Sequence, residues 1–126
     1  MDSNAKPAQF GLLRSFSYAF AGIATALRSE RNMRFHFFSS IVVLLFSYYF
    51  SITKTEWLFI LVLIGGMFAL EMVNTAIERV VDLVTDEYHF LAKQAKDLAA
   101  GAVLVFAILS VVIGIVIFLP YILELF

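Results

Sequence analysis

The sequence contains no cysteine. That excludes disulfides, thiol nucleophiles and cysteine-ligated metal sites. Charge is scarce as well: Asp, Glu, Lys and Arg make up 15% of the chain, with a formal net charge of −1. Without a basic surplus there is no electrostatic footprint for nucleic acid. The opening MDSNAKPAQFGLLRSF lacks the basic start, apolar centre and small-residue cleavage site of a signal peptide, so the chain is expected to keep its N-terminus. No lipidation motif, internal repeat or low-complexity segment stands out.

What the chain has in abundance is apolar surface. Of its 126 residues 62% are hydrophobic, and the mean hydropathy is +0.92. This length suits one domain, and this composition points to an all-α integral membrane protein. Met1–Gln9 is polar and expected to be a loose start. Over residues 10–30, Leu12, Leu13, Phe16, Phe20, Ile23 and Leu27 recur at helical spacing, with Arg14, Ser17, Thr25 and Arg28 on other faces. That pattern predicts an N-terminal amphipathic helix at the membrane interface, or one packed on other protein. After a charged hinge at Ser29–Arg34, three spans are expected: 35–52, 57–84 with an extension beyond the bilayer, and 91–123 with its own start outside it. Tyr48 and Tyr49 suit an interfacial belt. The short turn Thr53–Glu56 makes the first two spans an antiparallel hairpin, and Thr85–Phe90 separates the second from the third. Gly101, Ala102 and Ala107 offer close-packing surface, or only the ordinary composition of a membrane helix.

Lys6, Arg14, Arg28, Arg31 and Arg34 precede the first span, and Arg79, Lys93 and Lys96 lie between the second and third. Only Lys54 lies in the first turn. The positive-inside bias therefore places the N-terminus in the cytoplasm and the C-terminus outside the cell membrane.

Against this background Glu71–Asp82, EMVNTAIERVVD, stands out. At about 100° per residue Glu71, Glu78 and Asp82 share a narrow arc of one helix, with Asn74 beside them. Counted from Trp57 at about 1.5 Å per residue, Glu71 lies roughly 21 Å along and Glu78 roughly 31 Å, against a hydrocarbon core of about 30 Å. Glu71 is then inside the lipid, Glu78 at its boundary and Asp82 beyond. A carboxylate at the first depth meets lipid head groups, or is neutral and bonded to a neighbouring helix; one at the second meets water-soluble partners, or is a solvated helix end. Asn74 alone reads as interhelical glue. Glu30 ends the amphipathic helix at the same boundary. Glu30 and Glu78 are candidates to hold a hard divalent cation such as Mg²⁺, which takes one or two carboxylates plus phosphate oxygens; a surface pair of Glu30 with Arg28 or Arg31 is the alternative. Lys96 is suited to neutralise phosphate or to anchor a helix end. His36 and His89 lack the partners of a metal site.

The stretches ALRSERNMRFH (Ala26–His36), ALEMVNTAIERVVDL (Ala69–Leu83) and DEYHFLAKQAKDLAAGAV (Asp86–Val103), with Tyr18 and Gly22, resemble the prokaryotic diacylglycerol kinase family, small trimeric membrane kinases that include undecaprenol kinase. The resemblance covers nearly all of the chain after about Arg14. It implies an amphipathic helix plus three transmembrane helices, a homotrimer with active sites shared between protomers, and transfer of the γ-phosphate of MgATP to a lipid hydroxyl. Carried over residue by residue, it makes Glu71 the general base and Glu30 and Glu78 the ligands of the cation. Nucleotide contacts fall to Tyr18, Glu30, Glu78, Glu87, Tyr88, His89, Lys96 and Asp97, with Asn74 and Asp82 supporting the site. The chemistry of these residues agrees, because phosphoryl transfer asks a protein mainly for positioning and charge neutralisation. The chain has no G-x-x-x-x-G-K-[ST] loop and no soluble-kinase signature. GGMFALE (Gly65–Glu71) and LAKQAKDLAAGAV (Leu91–Val103) look closer to the Gram-positive branch, which makes undecaprenol the expected substrate and diacylglycerol the alternative. From another class, a proton-coupled transporter subunit would use Glu71 as its titrating group and move its cargo without ATP.

Overall fold

The computed structural model describes residues 8–126, and their regular structure is entirely helical: α1 (Ala8–Ser29), α2 (Arg31–Tyr49), α3 (Lys54–Val84) and α4 (Phe90–Leu123). Most of the polar start expected over Met1–Gln9, with Lys6, lies outside the described residues. α3 and α4 are long and apolar enough to cross a membrane, with mean hydropathies of 2.0 and 3.2 in their most apolar windows. α2 does not pass that test. Its 19 residues, about 28 Å of helix, include Arg31, Arg34 and His36 and three serines, and it stops at Tyr49 short of the expected Ile52.

Each break between helices has a local cause. The hinge expected over Ser29–Arg34 contracts to one extended residue, Glu30, at φ −108° and ψ 118°. Arg34 Nη1 then donates to the carbonyls of Leu27 (3.2 Å) and Arg28 (2.8 Å), satisfying orphan acceptors at the end of α1. Between α2 and α3, Ser51 takes a positive φ of 50°. Thr53 and Glu56 then form a reciprocal capping box. Between α3 and α4, Thr85 Oγ1 accepts from the Glu87 amide, and His89 Nδ1 caps α4 by accepting from the Leu91 amide at 3.1 Å.

The helices pack around α3, which touches the other three. At the α2–α3 turn, buried Ile52, Ile60 and Ile117 gather Trp57, Phe50 and Tyr121 around them. The Phe50 and Tyr121 rings stack at 5.7 Å. There the Tyr121 hydroxyl donates to Glu56, tying α4 to the start of α3. α1 meets the rest near its C-terminal end, where Ala26 is buried and Arg79 of α3 donates to Ser29 Oγ at 2.8 Å. Its Leu12, Leu13, Phe16 and Phe20 stay exposed.

α3 and α4 approach closely at Gly66, where a Cβ would fall 2.5 Å from Phe106 Cζ. A methyl there must displace the ring. Gly66→Ala is expected to lower stability by about 1–2 kcal/mol, read as a lower unfolding temperature in detergent micelles. Phe106→Leu, which removes the obstructing ring, should recover most of that loss in the double variant; an additive loss would show that the contact is not the cause.

Candidate functional site

The buried residues of α3 run Ile60, Leu63, Met67, Glu71, Asn74, Thr75. The intervals of three and four residues from Ile60 to Asn74, with Thr75 beside it, trace one stripe of the helix. It is apolar for two turns and becomes polar at Glu71 without leaving the core. Glu71 is only 2% exposed, and Asn74 and Thr75 are 8% and 7% exposed. A carboxylate so placed requires a partner, because burial without one penalises its charged form. The group facing it is His36 of α2, whose Nε2 lies 3.8 Å from Glu71 Oε2. That is ion-pair range and slightly long for a hydrogen bond. His36 also stands at the edge of an apolar cavity of ≈ 430 Å³ between α2, α3 and α4, walled by Val43, Leu63, Met67 and Phe118.

One turn further, Asn74 Nδ2 donates to Glu78 Oε1 at 3.3 Å and orients that carboxylate. Asn74 Oδ1 and Thr75 Oγ1 are buried without a partner among the described residues. By contrast, Ser40, Ser47 and Ser110 each bond back to the carbonyl four residues earlier. Glu30 reaches the same turn of α3 from the α1–α2 junction, with its Oε1 3.8 Å from Arg79 Nη2. Its side chain makes no cap to α2. The sequence alternative for Glu30 named Arg28 or Arg31; the charge that meets it is Arg79, which follows Glu78. Among the described residues no three His, Asp or Glu side chains form a metal cluster. Glu78 and the unpartnered amide oxygen of Asn74 offer oxygen donors on one face of α3, the ligand type that hard divalent cations take.

A second group forms where α3 ends and α4 begins. Asp82, Glu87, Tyr88, His89, Lys96 and Asp97 line one hollow of ≈ 270 Å³, with Lys93 among them. Lys96 Nζ donates to Asp82 Oδ1 at 2.6 Å across the break, and Lys93 pairs with Asp97. Lys96 precedes the uncharged run from Leu98 and lies outside it. The hydrogen bond it donates to Asp82 holds its pKa above the ordinary lysine value, so it stays cationic throughout the neutral range. Tyr18 belongs to neither group: it is 56% exposed on α1. His36 and Arg79 join these groups through packing that helical spacing does not specify, and Lys93 through an i,i+4 pair within α4. A histidine alone in an otherwise uncharged run was the available signal for the first.

The family model of the prokaryotic diacylglycerol kinases matches residues 17–118. The undecaprenol kinase of Bacillus subtilis is 52% identical over 107 residues, covering 85% of this chain and 87% of that protein. The diacylglycerol kinase of Synechocystis is 44% identical over 118 residues, covering 90% and 66% respectively. That of Escherichia coli K12 is 25% identical over 101 residues, covering 80% and 83%. A match over most of the chain, including every element of the two groups just described, decides its family: this protein belongs to the prokaryotic diacylglycerol kinases.

Proposed function

We propose that the chain is an ATP-dependent kinase of membrane alcohols whose acceptor is undecaprenol. The observation that carries this reading is Glu71: a carboxylate in the buried stripe of an apolar helix, one turn before Asn74 and two before Glu78. An acceptor hydroxyl at Glu71 gives up its proton to the carboxylate as its oxygen forms a bond to the γ-phosphorus of ATP. The bond from that phosphorus to the β–γ bridging oxygen breaks, and ADP leaves with the electron pair. The apolar cavity beside His36 suits a hydrocarbon chain. Glu30 and Glu78 would hold Mg²⁺, which supplies neutralisation of phosphate charge when bound; Asn74 fixes the rotamer of Glu78.

In this reading α2, α3 and α4 all span the cell membrane, and α1 lies at its cytoplasmic face on Leu12, Phe16 and Phe20. The N-terminus is cytoplasmic and the C-terminus extracellular. The polar hollow at the α3–α4 break then faces cytoplasmic ATP, contacted by Glu87, Tyr88, His89, Lys96 and Asp97, with Asp82 in support. Three copies share their sites, and Tyr18, exposed on α1 and not part of the hollow's lining within one chain, joins that of a neighbour. The identity to the Bacillus subtilis enzyme favours undecaprenol; that to the Synechocystis enzyme keeps diacylglycerol as the second acceptor.

The test is ATP-dependent phosphorylation of a panel of membrane alcohols by the purified protein. Turnover of undecaprenol well above that of diacylglycerol is expected; equal or better turnover of diacylglycerol reverses the assignment, and no transfer to any alcohol ends the kinase reading. For Lys96→Ala, KM for ATP should rise roughly tenfold, the loss of one charge-assisted bond. An unchanged KM would return Lys96 to a purely structural pair with Asp82.

A further inference from the structure

We infer that His36 is a positioning residue for the Glu71 carboxylate, an assignment that rests on the kinase reading above. The argument starts from what surrounds Glu71. It is among the most deeply buried polar groups of the described residues, and the basic side chain that faces its carboxylate there is His36. The polar side chains that follow it on the stripe turn elsewhere: Asn74 gives its amide to Glu78, and Thr75 is unpartnered. Across the helix interface His36 presents Nε2 toward Glu71 Oε2 at 3.8 Å, with its ring half-buried.

The surroundings of His36 come from its own helix and from the cavity. Its backbone carbonyl accepts from Ser40 Oγ at 2.7 Å. Its ring meets the Phe35 ring edge-on at 5.7 Å, and it lines the apolar cavity. A shift of under 1 Å brings Nε2–H into hydrogen-bond range of the carboxylate, and catalytic contacts commonly tighten when substrate binds. A donor on Oε2 does two things. It gives a buried carboxylate a hydrogen-bond partner. It also fixes the plane of the group, leaving Oε1 directed at the acceptor hydroxyl. His36 does not touch the reacting phosphorus and takes no proton from substrate; it acts through Glu71.

Two substitutions separate this role from packing. His36→Gln keeps an N–H donor at a reach close to Nε2 and loses the ring. His36→Phe keeps the ring and its edge contact with Phe35 and loses the donor. Both are measured by steady-state phosphorylation of undecaprenol in mixed micelles, beside the wild type, with helical content and elution volume as folding controls. The expected result is a kcat about ten- to a hundredfold lower for His36→Phe, part of what general-base catalysis contributes, with KM for ATP and for undecaprenol within about twofold. His36→Gln should recover kcat to within a few-fold of wild type.

A His36→Phe enzyme with wild-type kcat overturns the inference. So does loss of activity in both variants, or a loss confined to KM for undecaprenol, which would make His36 only a wall of the cavity. Should His36→Phe fail to fold, His36→Leu takes its place with the same expectation. A wild-type protein inactive on every alcohol would instead bring down the kinase reading, whereas an active wild type beside an active His36→Phe leaves that reading intact and removes only this one.

Discussion

Glu71→Gln is expected to leave a folded protein that transfers no measurable phosphate, a loss of about 10³-fold or more where the general base is removed. The substitution conserves shape and hydrogen-bonding capacity, and its amide oxygen still faces His36, so the seam between α2 and α3 should stay closed. It also takes a buried carboxylate out of a site with one facing partner at 3.8 Å, which should leave stability unchanged or slightly raised. The combination is diagnostic. A structural carboxylate would lose stability before activity; a catalytic one loses activity alone. Single-turnover transfer from labelled ATP, beside thermal unfolding of the same sample, reads both. Near-normal turnover would falsify the general-base assignment.

Glu30→Gln and Glu78→Gln should each shift the Mg²⁺ titration of activity to higher concentration by about tenfold or more, with a lower maximal rate. The estimate follows from removing one of two charged ligands of a hard cation, each worth about 1.5 kcal/mol or more in a charge-assisted contact. The local costs of the two differ. Glu30 loses its partly exposed pair with Arg79, a contact worth at most about 1 kcal/mol. Gln at position 78 still accepts from Asn74. Neither change is large enough to unfold the protein, so a displaced Mg²⁺ curve reports the site. If the curve stays where the wild type puts it, these two carboxylates are not the ligands, and Glu30 is left as the anchor that docks the α1–α2 junction on Arg79.

Sequence and tertiary structure contributed different parts of this picture, and the division has a physical basis. Helical periodicity, hydropathy and caps are local properties. They sufficed for an all-helical chain, for the breaks near Glu30, Thr53 and Thr85, for two of its apolar runs, and for a polar arc holding Glu71, Asn74 and Glu78. The E-x-x-N-[ST]-A-I-E-x-x-x-D pattern of Glu71–Asp82 carried the family. Hydropathy separates α2 from the other two long helices, because His36 and three serines dilute it below α3 and α4.

Periodicity says which residues share a face, but not what that face meets. The meeting depends on crossing angles and on the depth at which one helix passes another. Only the packed chain turned the Glu71 stripe into its own core, set His36 against it, and paired Glu30 with Arg79 in place of Arg28 or Arg31. The same packing joined Lys96 to Asp82 across a break in the helix. Each of these contacts crosses from one element to another, and each is decided by side-chain reach after the helices have docked. The sequence by itself determined which chemical groups the protein owns and the order in which they climb α3; the tertiary structure decided which of them face one another.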